Sequence, residues 1–138
     1  MLSESASLEE IQDAFSADKF ATEACGAYIL DAREGYAKCA FDITAIHRNA
    51  ASEVMGGALF TLADFALAVA CNIGEQPTVS ISNTIQFMSA SKGSRLFAEC
   101  EVEKSGRSLG FYNVRVTDDH NKLIAIMTAT CYRQPAQF

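Results

Sequence analysis

The sequence predicts an α+β domain in which a mainly antiparallel sheet of about six strands curls around one long central helix. Three observations predict it. The segment Gly56 to Ile73 is apolar almost all round, the stretches after it switch to an apolar–polar period of two, and their connections are short and rich in Gly, Ser, Asp and Asn. A chain of 138 residues fits a single domain over 1–138.

The first element is a short amphipathic helix near Leu8 to Phe15. Gly26 to Leu30 and Tyr36 to Ile43 then read as a hairpin across Arg33-Glu-Gly35. The apolar segment that follows is nearly long enough to span a bilayer, but Asp64 falls near its middle, where a carboxylate costs about 2.5 to 3.5 kcal/mol on insertion scales. It is therefore read as a helix wrapped by other structure. In Thr78 to Phe87 the apolar Val79, Ile81, Ile85 and Phe87 alternate with Thr78, Ser80, Ser82, Thr84 and Gln86. Leu96 to Glu103 and Tyr112 to Thr117 alternate likewise, and Leu123 to Tyr132 is apolar on both faces. Ser91-Lys-Gly-Ser94, Lys104-Ser-Gly-Arg107 and Asp118-Asp-His-Asn121 are turn signals, so these strands read as a meander in the order α-ββ-α-ββββ.

Composition narrows the function. Apolar residues make up 49% and the formal charge is −6, which argues against disorder and against a nucleic-acid surface. Charge is uneven: residues 1–34 carry eight acids and two bases, while 88–138 carry five acids and seven bases, suiting a small anionic ligand. Five scattered cysteines without a C-x-x-C pair, behind an acidic N-terminus unlike a secretory signal, point to a reduced, cytoplasmic protein that engages no membrane. His47 and His120 are too few and too scattered to hold a metal, and no phosphate-binding or dinucleotide fingerprint occurs, so no cofactor is expected.

Asp64 is the most informative residue, because an ionised carboxylate inside a greasy helix is unfavourable without a partner. Either it pairs with a cation or backbone of its own chain, or it does chemistry. Gly56 and Gly57 open the same helix. They allow a tight helix–sheet contact, or they bare N–H groups at the positive end of the helix dipole, where an oxyanion is held. Eight residues separate Gly56 from Asp64, about 12 Å along one helix, too far for both to act on one carbonyl within a chain. A two-fold dimer with antiparallel helices brings Asp64 of one copy to Gly56 of the other.

The run Asn49-Ala-Ala-Ser-Glu-Val-Met-Gly-Gly-Ala-Leu-Phe-Thr-Leu-Ala-Asp64, followed by alternating strands, resembles the hotdog-fold thioesterases of the phenylacetic-acid-degradation (PaaI-like) type. The resemblance covers nearly the whole chain after the N-terminal helix. It implies an acyl-CoA thioesterase working as a dimer or a dimer of dimers, with Asp64 as general base or nucleophile and the Gly56 amide as oxyanion donor. It also implies that Asn49 orients substrate or water, with Gly57 and Met55 beside the thioester, and that Ser80 matches a position where some relatives carry a supporting hydroxyl. Met55 stands where the family usually has His, which removes a polar side chain and implies lower activity or a more apolar acyl preference. Lys104, Gly106 and Arg107 match a loop where relatives meet the nucleotide of coenzyme A; Lys92 and Arg95 either add to that basic rim or are solvated residues of a hairpin turn. Phe60, Phe65, Phe87 and Met88 either line the acyl pocket or pack in the ordinary core. Two alternatives remain: a non-catalytic acyl-CoA or lipid-binding module, and an enoyl-CoA hydratase or dehydratase, which would need a positioned acid and base, commonly including His.

Overall fold

The computed structural model describes residues 2–74 and 76–135. Helix α1 (Leu8–Phe15) starts where the Ser7 hydroxyl accepts the Glu10 N–H, and a single π-turn over Phe20–Ala24 follows. Strands β1 (Tyr28–Arg33) and β2 (Tyr36–Asp42) form the expected hairpin. Its turn needs Gly35, which sits at φ +79° with no room for a Cβ against Val102.

A 3-10 turn over Ala45–His47 leads through a tight loop to the central helix α2 (Gly56–Cys71). The helix stops two residues before the apolar run ends. Asn72 ends it by donating to the carbonyls of Ala68 and Thr78 and accepting from the Thr78 N–H, which ties the helix end to the next strand. Strands β3 (Thr78–Phe87), β4 (Arg95–Ser105), β5 (Leu109–Asp118) and β6 (Leu123–Arg133) complete one antiparallel six-stranded sheet, and α2 packs against every strand of it. On its other side α2 meets the N-terminal segment, with the Phe15 and Phe65 rings edge to face at 6.3 Å. No helix among the described residues is long and apolar enough to cross a membrane.

The sheet order is β1-β2-β4-β5-β6-β3, so the four later strands are not a simple meander. The segment 88–94 is a crossing rather than a hairpin turn: β3 lies at the edge beside β6, while β4 lies between β2 and β5. Seven residues separate β3 from β4. At about 3.3 Å each they readily span three strand spacings, roughly 14 Å. The crossing is laced to the far end of the β5–β6 hairpin. There the Met88 N–H donates to Ile124 O, Ser91 Oγ to Asp118, Ser94 Oγ to Asp119, and Lys122 Nζ to Ala90 O.

A second departure lies within β3. Ser80 pairs with Cys131 and Ser82 with Thr130, leaving Ile81 as an extra residue in a β-bulge. The bulge resets the alternation. Thr78 is buried, Val79 and Ile81 are 45% and 58% exposed, and Ser80 moves from the expected polar face to the side of the buried Cys131. Beyond the bulge, Asn83, Ile85 and Phe87 share that helix-facing side, opposite Ala129, Met127 and Ala125.

Candidate active site

Helix α2 is apolar all round but not covered all round. Leu59, Leu62, Ala63, Phe65, Ala66, Leu67, Val69 and Ala70 are buried, whereas Gly57, Phe60, Thr61, Asp64, Ala68 and Cys71 are not. Their spacing of three and four residues makes one continuous stripe along the helix. Asp64 lies in its middle, half-buried rather than enclosed as the sequence suggested. Among the described residues it makes no hydrogen bond and no ion pair. Burial pushes its carboxyl above the usual range, and the nearby Asp18 carboxylate, brought in by the N-terminal segment, adds to the rise.

The stripe runs along the β3 side of the molecule. Asp64 lies close enough to Cys131 to oppose ionisation of that thiol, and Cys131 is paired with Ser80, so Asp64 and Ser80 flank the same residue of β6. Ser80 Oγ accepts from Asn83 Nδ2 at 3.2 Å.

At the other end of the stripe, α2 begins without a side-chain cap. The Met55 carbonyl accepts the N–H groups of Ala58 and Leu59, while those of Gly56 and Gly57 have no acceptor among the described residues. These free donors lie at the positive end of the helix dipole. Gly56 also makes the tight contact that was its alternative reading: a Cβ there would stand 3.1 Å from the Phe87 ring. The glycine therefore makes the close contact and leaves its N–H bare at once. Met55 is 56% exposed and folds back towards Gly57. Phe87, 54% exposed, completes an apolar collar at the bare helix terminus, with the exposed Met88 next to it in the chain.

Asn49 lies in the loop before the helix and has a definite local task. Its Oδ1 accepts from the Ala51 and Glu53 N–H groups, folding the loop into an Asx turn, and its Nδ2 stays free among the described residues. The loop is anchored by His47, which serves as a structural residue. Its ring is buried and stacked on Phe41 at 4.0 Å, its Nδ1 accepts the Thr44 N–H, its Nε2 donates to Cys25 O, and its own carbonyl accepts the Met55 N–H. Both ring nitrogens are occupied, so His47 is structural and does not supply the acid or base of a hydratase.

Lys104 and Ser105 end β4, and Gly106 and Arg107 begin the turn to β5; Ser105 lines one pocket with Ala70 and Cys71, so this turn lies at the C-terminal end of α2, the opposite end of the helix from Gly56. Lys104 and Arg107 form no ion pair among the described residues. Lys92 and Arg95 do not extend that rim. Arg95 opens β4 and pairs with Asp42 at 2.7 Å, and Lys92 lies in the crossing and approaches Glu53.

Comparison with known proteins identifies the family. The model of the thioesterase superfamily matches residues 53–125, which span the helix terminus, Asp64 and the strands behind them. The acyl-coenzyme A thioesterase PaaI of Escherichia coli is 31% identical over 112 residues, covering 80% of each chain. A putative esterase of Archaeoglobus fulgidus is 34% identical over 132 residues, covering 95% of this chain and 86% of its own. The solved structure of the E. coli PaaI protein superposes with a TM-score of 0.82 over 95% of this chain and 99% of that one, at 26% identity. The chain with the bare glycine terminus and the unpaired Asp64 thus belongs to the thioesterase superfamily, as a thioester hydrolase of the PaaI-like, hotdog-fold type.

Proposed function

We propose that this protein hydrolyses acyl-CoA thioesters at a site shared between two copies of the chain. The observation that carries the reading is Asp64, a half-buried carboxylate with no cation of its own chain, set in an otherwise greasy helical stripe. In this reading water attacks the thioester carbonyl while Asp64 takes its proton, and the Gly56 N–H of the partner copy holds the oxyanion. Collapse breaks the C–S bond and releases the carboxylate and coenzyme A as its thiol. The alternative chemistry at Asp64, direct nucleophilic attack through an anhydride, uses the same geometry. Asn49 Nδ2 and Ser80 Oγ would orient the substrate or the water, and Lys104, Gly106 and Arg107 would meet the nucleotide. The relative named as an acyl-coenzyme A thioesterase supports the substrate class. Five free cysteines suit a cytoplasmic setting.

Two copies are needed because Gly56 and Asp64 are about 12 Å apart along one helix. Strand β3 offers the means: it is a ten-residue edge with Val79, Ile81 and Phe87 exposed, the kind of edge that pairs with another chain unless blocked. Ile81→Lys is expected to leave the chain monomeric in sedimentation equilibrium and to abolish turnover without unfolding it.

The direct test is thiol release over a panel of aromatic and short, medium and long aliphatic CoA esters. Turnover is expected, with apolar acyl groups favoured by the collar of Met55, Phe87 and Met88. Met55 also favours the second reading, since the polar group that relatives place beside the thioester is missing. Tight binding of CoA esters without thiol release across the panel would select a binding module instead.

A further inference from the structure

Strand β6 ends in Arg133, which lies outside the candidate active site. Arg133 reaches back across β5 to the β4–β5 turn and holds it at three points. Its backbone N–H donates to Ser108 O at 2.8 Å, its Nη1 donates to Gly106 O, and its Nη2 donates to Ser105 Oγ. Two glycines make this possible. A Cβ on Gly110 would stand 2.9 Å from the Tyr112 ring and 3.4 Å from Arg133 Nη2, so only glycine leaves room for the guanidinium to lie over the strand. A Cβ on Gly106 would meet the Leu109 carbonyl at 2.8 Å, the carbonyl that closes the turn by accepting the Gly106 N–H. Tyr112 is buried, and its ring lies beside the same guanidinium over Gly110.

The turn held in this way is the one that carries Lys104 and Arg107, two exposed cations with flexible stems. An unrestrained turn would have to be ordered on binding, at a cost in conformational entropy. We propose that Arg133 is a positioning residue for the nucleotide end of a CoA ester: it pre-forms the Lys104–Arg107 turn without itself touching the reacting atoms. This inference rests on the acyl-CoA reading above and adds to it a residue 27 positions from the turn it holds. A planar guanidinium can bridge the Gly106 carbonyl and the Ser105 hydroxyl at once, whereas a lysine ammonium keeps the charge and loses the two-point bridge.

The test compares a CoA thioester with its pantetheine counterpart, which lacks the nucleotide, and measures the affinity of free coenzyme A by calorimetry. For Arg133→Met and Arg133→Lys alike, KM for the CoA ester and Kd for coenzyme A are expected to rise about tenfold. The value of kcat and all constants for the pantetheine ester are expected to stay at the parent's level. Ser105→Ala, a surface change that leaves the fold alone, should show a smaller loss of the same kind. Full rescue by lysine, equal losses on both thioesters, or unchanged KM and Kd would each overturn the inference. The calorimetric arm separates it from the parent reading: a protein that binds coenzyme A but releases no thiol fails as a hydrolase and still decides the role of Arg133. A parent that treats the two thioesters with equal KM remains a hydrolase and refutes the inference.

Discussion

Asp64→Asn is expected to fold as the parent does and to lose thioester turnover by about 10²–10⁴-fold, the range that a positioned general base contributes. The loss should appear in kcat rather than KM, because the amide fills the same space on the helix stripe and removes only the proton acceptor. The same substitution should not lower the melting temperature at neutral pH. Burial raises the Asp64 carboxyl above the usual range, so the ionised form is less favourable in the folded chain than in the unfolded one. A neutral amide relieves that cost. Lost turnover with unchanged or improved stability separates a functional carboxylate from a structural one, whose removal would destabilise. A variant that keeps full thiol release would remove Asp64 from the mechanism.

The pH profile carries the same argument. Turnover needs ionised Asp64, so kcat/KM should fall on the acid side with a midpoint above the ordinary aspartate value of about 3.9. Asp18 contributes to the rise as a like charge, second to burial. Asp18→Asn should therefore move the acid limb to lower pH while leaving the plateau rate in place. A limb that stays put would show that burial alone sets it.

Much of this site is legible in the sequence because its parts are local. One acid in a continuous apolar run and two glycines at the head of that run are visible without coordinates, and the distance between them follows from helical rise alone. Period-two alternation likewise marks β3 to β6. What alternation cannot carry is partnership: Thr78 to Phe87 reads the same whether its neighbour is β4 or β6, and the seven residues after it suit a turn or a crossing equally. Nor does the pattern show that Ile81 is an extra residue, which is why Ser80 was expected on the polar face. Residues that act on distant segments were hidden for the same reason. Asp18 beside Asp64, His47 beneath the loop of Asn49, Phe87 against Gly56 and Arg133 across the β4–β5 turn each depend on a contact between elements that only the fold brings together.

Asp118 shows such a long-range contact carrying stability, and its removal should have the largest effect on folding of any exchange considered. It is 2% exposed, and its carboxylate accepts three hydrogen bonds at 3.0 Å: from Ser91 Oγ in the crossing, and from the His120 and Lys122 N–H groups in the β5–β6 turn. Asp118→Ala strands all three donors, which at about 1–3 kcal/mol for each unsatisfied buried group predicts a loss on the order of 3 kcal/mol after partial access of water. Asp118→Asn keeps the Oδ1 acceptor and should lose roughly 1 kcal/mol. Desolvation pushes the Asp118 carboxyl up, but the hydrogen bonds from Lys122, Ser91 and His120 outweigh it and hold the group below the usual carboxylate range. Its stabilising contribution is therefore complete above the unfolded aspartate value of about 3.9 and is lost as pH falls through the lower folded value. Urea midpoints at fixed protomer concentration should show a constant gap between parent and Asp118→Ala from neutral pH down to about pH 4, closing below it. The crossing that Asp118 clasps begins directly after Phe87, and Phe87 packs on Gly56, so a loosened clasp also frees the aromatic wall of the helix terminus. Discrimination between acyl chains should accordingly weaken in Asp118→Ala at temperatures where the protein is still folded, while Asp64 and its pH limb stay unchanged.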